Sequence, residues 1–157
     1  MLRKYGLFIL LLLVALLLAA CGSKKDATPE QSAEVAGLNI DAAALTGDPS
    51  FIDVEQDGTA MQLIALKDNS GAVRLAFNTC QSCGGSPYAW FEDLGDGRLQ
   101  CQNCGLTFPL DTVGTKKAQG CNPVTISDFT VEGDTVTVPE SLLKANVERF
   151  ANWKKFN

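Results

Sequence analysis

Cys80-Gln81-Ser82-Cys83-Gly84 and Cys101-Gln102-Asn103-Cys104-Gly105 are the stretches on which the reading of this chain turns. Together they spell C-x2-C-x17-C-x2-C, a spacing expected of four-thiolate metal sites. Two residues between cysteines allow a tight turn to aim both sulfurs at a point about 2.3 Å away, while the backbone amides of that turn offset the thiolate charge. Gly84 and Gly105 follow the second cysteine of each pair and are expected to take positive φ, so that the chain curls back.

Between the pairs, Tyr88-Ala89-Trp90-Phe91 and Arg98-Leu99-Gln100 read as strands flanking a turn at 93–97. Two cysteine knuckles brought together by this hairpin would close a tetrahedral sulfur site of zinc-ribbon or rubredoxin type. The competing chemistry is disulfide formation, either within each C-x2-C or between them. Two knuckles of the same glycine-terminated design exceed what staples require, and a redox C-x2-C ordinarily opens a helix after a strand. Cys121 is a fifth thiol that fits neither scheme fully; its neighbours Gly120 and Asn122-Pro123 place it in a turn, and it is expected close to the other four.

Further hairpins surround this segment. Phe51-Ile52-Asp53-Val54 and Met61 to Leu66 are separated by Gln56-Asp57-Gly58, and Val73 to Phe77 follows the turn Asp68-Asn69-Ser70-Gly71. Phe129-Thr130-Val131 and Thr135 to Val138 flank Glu132-Gly133-Asp134. After Pro139, Leu143, Val147, Phe150 and Lys154 keep helical spacing, which predicts one C-terminal amphipathic helix. The fold class is therefore α+β: mostly antiparallel hairpins carrying two cysteine knuckles, closed by a helix. Asp53-x-Glu55-x-Asp57-Gly58 imitates the start of a calcium loop, but its twelfth position is Ile64 rather than Glu, and we read it as a turn between strands.

The N-terminus carries a different signal. Arg3-Lys4 precedes an almost wholly apolar run from Gly6 to Ala20, short for a spanning helix and suited to a removed signal peptide over 1–20. Leu18-Ala19-Ala20-Cys21 resembles the bacterial lipobox, whose cysteine receives a diacylglyceryl group and acyl chains such as palmitate. Cys21 is thus the expected lipidation site, 21–36 a polar linker, and 37–157 the cysteine-bearing domain. Localisation follows as lipid-anchored at the cell membrane on its extracytoplasmic side.

The chain of 157 residues contains no histidine, which excludes Ser-His-Asp and Cys-His nucleophilic sites, His-ligated zinc enzymes and Rieske clusters. Loss of 1–20 removes two of the 13 basic residues and none of the 18 acidic ones, leaving a net charge of −7. That charge repels phosphate backbones, so nucleic acid is not an expected partner. No enzymatic constellation is implied.

Phe77-Asn78-Thr79-Cys80-Gln81-Ser82-Cys83, Trp90-Phe91, Leu99 to Gly105 with Phe108, and Gly120-Cys121-Asn122-Pro123 resemble the FtrD-like membrane iron-sulfur domain family, over roughly residues 50 to 126. The resemblance implies Cys80, Cys83, Cys101 and Cys104 as metal ligands with Cys121 as a fifth, an iron-sulfur cluster or iron as cofactor, and an iron-transport or redox membrane protein as partner. The fuller members carry a multi-helix membrane portion that is not recognisable here, which points toward an accessory rather than a permease. Arg3-Lys4 is not a twin-arginine signal, so the expected export route is an unfolded one, with metal acquired outside. Such a route is easier for a single ion, so zinc stands as the alternative to iron-sulfur. Two further readings remain open, a structural zinc-ribbon binding module and a thiol-disulfide exchange protein.

Overall fold

The computed structural model describes residues 37–116 and 120–156. All of them fall in one compact unit, Glu34–Asn157. The signal segment, the linker and Cys21 lie outside the described residues.

Among the described residues, ten strands form three antiparallel sheets: β1 (Gly37–Asp41), β10 (Thr135–Pro139) and β9 (Thr130–Glu132); β2 (Ser50–Gln56), β3 (Thr59–Lys67), β4 (Val73–Cys80) and β8 (Pro123–Ile126); and β5 (Phe91–Asp93), β6 (Arg98–Cys101) and β7 (Thr107–Pro109), each in that spatial order. The expected hairpins are present. The β2–β3 turn has Asp57 at φ 52° and Gly58 at φ 75°, the paired left-handed residues of a two-residue loop matched to strand twist. Asp53 and Glu55 therefore stand in a strand rather than in a calcium loop.

The four-stranded sheet is buried on both sides. Along β3, Met61, Leu63 and Ala65 enter one core with Leu75 and Phe77 of β4, while Ile64 and Leu66 enter a second with Ala76 and Cys80. The period of two in a strand makes this division automatic. The first core is aromatic: Phe77 meets Phe150 edge-on at 6.0 Å between ring centroids, and Phe150 meets Trp153 at 5.0 Å. Each such buried side chain contributes about 1.5–3 kcal/mol by removal from water.

Three local expectations change. Strand β5 begins at Phe91 rather than Tyr88, because the carbonyls of Ala89 and Trp90 accept from the Cys80 and Gln102 amides of the two cysteine turns, at 2.8 Å each. The C-terminal helix, α1, is confined to Glu140–Lys144 and is followed by a 3-10 turn at Val147–Arg149. Asn146 interrupts it: its side-chain amide donates to the Leu142 carbonyl at 2.9 Å, and the tighter turn delivers Phe150 and Trp153 to the core. Strands β1, β7 and β8 were not expected. They are short and paired with partners far away in sequence or across irregular turns.

A polar chain, buried at Asn78 and Gln62 and reaching the surface at Asp53, docks the small sheet on the large one. Asn78 on β4 accepts from the Phe91 amide at 2.8 Å and donates to the Phe91 carbonyl at 3.2 Å, so its side chain imitates a neighbouring strand. The same amide group donates to Gln62 at 2.7 Å, and Gln62 donates to Asp53 at 2.5 Å. Every member of this chain is occupied, the condition under which a buried polar network rigidifies a fold. Asn78→Ala strands the Phe91 amide in an apolar setting and is expected to lower unfolding stability by about 2–3 kcal/mol in urea titration; a change below about 0.5 kcal/mol would contradict the docking role.

The β3–β4 turn is tied by Asp68, which accepts from the Ser70 hydroxyl at 2.6 Å, the Ser70 and Ala72 amides, and the Arg74 guanidinium. The Ser70 hydroxyl first, then Arg74 and the amides, hold its carboxyl well below the usual carboxylate range. Because the folded value is the lower one, this stabilisation is complete above the unfolded pKa, about 3.9, and is lost as pH falls below it. Asp68→Asn should accordingly flatten the acid limb of the stability profile while changing its slope near neutrality little.

Candidate metal centre

Each knuckle grows from the end of a strand. Cys80 closes β4 and Cys101 closes β6, and the alternation of those strands sends both sulfurs into the second core, where neither residue has accessible surface. The turns then bring Cys83 back half-buried and leave Cys104 exposed. In the first turn the Cys83 amide donates to the Cys80 sulfur at 3.4 Å. In the second, the Gly105 amide donates to the Cys101 carbonyl at 2.8 Å, and Gly105 has the expected positive φ, 73°. The first turn differs. There the left-handed residue is Gly85, at φ 84°, one position later than expected, because the Ser86 amide donates to the Cys83 carbonyl and the loop closes over a longer span.

Cys121 arrives by sheet pairing. Strand β8 runs antiparallel to β4 with Pro123 opposite Cys80, past an irregularity in the register between Phe77 and Cys80. The segment just before β8 is fastened to the first knuckle: the Gln81 amide donates to the Asn122 carbonyl at 2.9 Å, and the Gln81 side chain donates to the Pro123 carbonyl at 3.2 Å. Gly120, at φ 77°, makes the approach. The two knuckles touch directly as well, through the Ser86 hydroxyl donating to Asn103 at 2.5 Å.

The five thiols of the described residues are all free and converge. Two sets of three sulfurs lie within 4.8 Å of one another: Cys80, Cys83 and Cys121, and Cys83, Cys101 and Cys104. Every sequence-predicted thiol within the described residues is thus brought into one cluster, Cys121 included, with Cys83 common to both sets. The sulfurs are gathered as two overlapping triangles rather than as one close set of four.

Of the aromatic residues near the cysteines in sequence, Phe91 and Phe108 cover the site, packed edge to face at 5.9 Å in the same core as Cys80 and Cys101. Trp90 belongs to the other core and Tyr88 is half exposed. Of the residues that hold the knuckles in place, Ser86, Asn103 and Asn122 have no signal in the sequence. Asn78 alone carried one, a polar residue between apolar strand positions two places from a cysteine.

The cluster is electrostatically divided. Burial pushes the Cys80 thiol well up, and Cys101 up to about 11. Cys121 is raised by burial and then by the adjacent Cys104 thiol. Cys104 is lowered, chiefly by the Leu106 amide donating to its sulfur. The donor set is soft sulfur with amide donors on the outer side of the turns, which fits thiophilic iron, zinc or an iron-sulfur cluster and excludes hard cations. A metal must displace protons from Cys80 and Cys101, so apparent affinity should rise with pH, by up to about tenfold per unit for each proton displaced. Zinc calorimetry in buffers of different ionisation heat should find at least two protons released per chain near pH 7; an affinity independent of pH would contradict the buried-thiol assignment.

Among the described residues, no helix is long and apolar enough to cross a membrane. No curated protein and no solved structure matches the chain. A family model described as membrane iron-sulfur containing protein FtrD-like matches residues 46–150, which takes in both knuckles, Cys121 and the strands that position them. The chain belongs to the FtrD-like family of membrane iron-sulfur proteins.

Proposed function

We propose that the protein is a cell-envelope lipoprotein, anchored through lipidated Cys21 on the extracytoplasmic side of the membrane, whose thiol cluster holds an iron-sulfur centre or iron and passes electrons as an accessory to an iron-transport membrane protein. Cys80, Cys83, Cys101, Cys104 and Cys121 are the proposed ligands. The observation that carries the reading is the convergence of five free thiols, in a chain without histidine, inside a family described by its iron-sulfur content.

An iron centre supplies a one-electron couple at this position. The chain's own residues account for the rest. Phe91 and Phe108 keep water from the inner side, where Cys80 and Cys101 are buried. The knuckle amides stabilise negative charge on sulfur and so favour the thiolate form. Cys104 is exposed, and the neighbouring Leu106 is 54% exposed, so the sulfur cluster has one edge open to a partner and the opposite edge sealed. The net charge of −7 that remains once residues 1–20 are removed favours a partner with a basic or neutral docking face.

Anaerobic purification from membranes tests the reading. The expected preparation is coloured, contains iron, bleaches on reduction and partitions with detergent, whereas Cys21→Ser yields the same chromophore in a form no longer membrane-bound. A colourless protein with one zinc would replace the electron-transfer reading by a structural zinc module. Absence of metal together with disulfide exchange activity would replace it by thiol chemistry.

A further inference from the structure

We infer that the thiol cluster is a two-metal site in which the Cys83 thiolate bridges, Cys80 and Cys121 completing the sulfur set of one ion and Cys101 and Cys104 that of the other. The inference rests on the metal-binding reading above and specifies how many ions the same thiols take.

Geometry carries it. Around a single tetrahedral ion with sulfur at about 2.3 Å, all sulfurs sit about 3.8 Å from one another. One ion therefore serves a set of sulfurs that are mutually close. Here the mutually close sets are two, each of three, and they overlap in one residue. Cys83 lies within 4.8 Å of all four other sulfurs, and it alone belongs to both triangles. A thiolate sulfur has lone pairs enough for two metal bonds, so the shared corner is chemically suited to bridging.

The fifth thiol is also held in place. Cys121 is fixed by the register of β8 on β4 and by the two hydrogen bonds that tie Gln81 to Asn122 and Pro123. The Thr112 hydroxyl, which donates to the Pro109 carbonyl at 2.8 Å, packs 3.3 Å from the Asn122 side-chain oxygen. A spare cysteine would need none of these constraints.

Charge points the same way. Five thiolates around one divalent ion leave three formal negative charges at a place where Cys80 and Cys101 have no accessible surface, whereas two divalent ions leave one. Each thiol that binds loses its proton to solvent as its metal–sulfur bond forms, and no electron transfer is involved. The ions suited to the site are soft or borderline divalent transition metals.

Cobalt(II) is the probe. The full chain, stripped of metal under reducing and anaerobic conditions, is titrated with Co²⁺ while the sulfur-to-cobalt charge-transfer absorption and the high-spin Co²⁺ paramagnetic resonance are recorded. The expected result is charge-transfer absorption that rises to two equivalents, with the resonance intensity per cobalt falling between the first and second because a shared thiolate couples the two spins. Cys121→Ala should cut the stoichiometry to one, and Cys83→Ala should abolish the coupling. The wild-type titration decides the matter even if a variant fails to fold. Saturation at one equivalent, or two equivalents with additive resonance intensity, overturns the bridge and leaves the metal-binding reading standing. Failure to develop any sulfur-to-cobalt absorption overturns both.

Discussion

Strand β4 is buried on both faces, and the rest of the structure depends on that constraint. A strand presents alternate residues to opposite sides, so a strand with water on neither side must satisfy two interiors at once. Leu75 and Phe77 face the aromatic core; Ala76, Asn78 and Cys80 face the other side. Asn78 holds the small sheet there, and Cys80 begins the first knuckle two residues later. A shift of one residue in the register of β4 would send Cys80 into the aromatic core and Phe77 toward the second knuckle. The location of the thiol cluster is in this sense a property of the sheet before it is a property of the cysteines.

The small sheet brings the second knuckle by the same means. Leu99 and Cys101 of β6 are buried against Phe91 and Phe108, so the apolar face of this sheet and its sulfur-bearing end are one surface. Docking that face on Ile64, Leu66 and Ala76 necessarily carries Cys101 to Cys80. The polar clamp through Asn78, Gln62 and Asp53 sets orientation, while apolar burial supplies the larger share of the driving force.

Burial also shapes the chemistry. Thiols with no access to water resist ionisation, which protects the metal-free site from oxidation at its inner sulfurs and couples metal loading to proton loss. Cys104 is the opposite case, exposed and supported by a backbone amide. A cluster graded from sealed to open in this way has a defined direction of access, which a symmetric pair of knuckles on an isolated hairpin would lack.

Residue spacing by itself determined the cysteine knuckles, the strands β2, β3, β4, β6 and β10, the turns at Asp57-Gly58 and Asp68 to Gly71, and the exclusion of imidazole chemistry, because each of these is a local matter of period, turn residue or composition. The turn around Cys121 already set the expectation that it joins the others; tertiary structure alone decided that Cys83 stands at the shared corner, that the left-handed residue of the first knuckle is Gly85, and that the C-terminal helix stops at Lys144. Those outcomes depend on how β8 pairs with β4 and how the small sheet sits on the large one. Pairings between residues some 40 positions apart are fixed by the fit of whole faces, here the pairing that sets Cys80 beside the segment ending at Pro123, and no local window of sequence contains that fit.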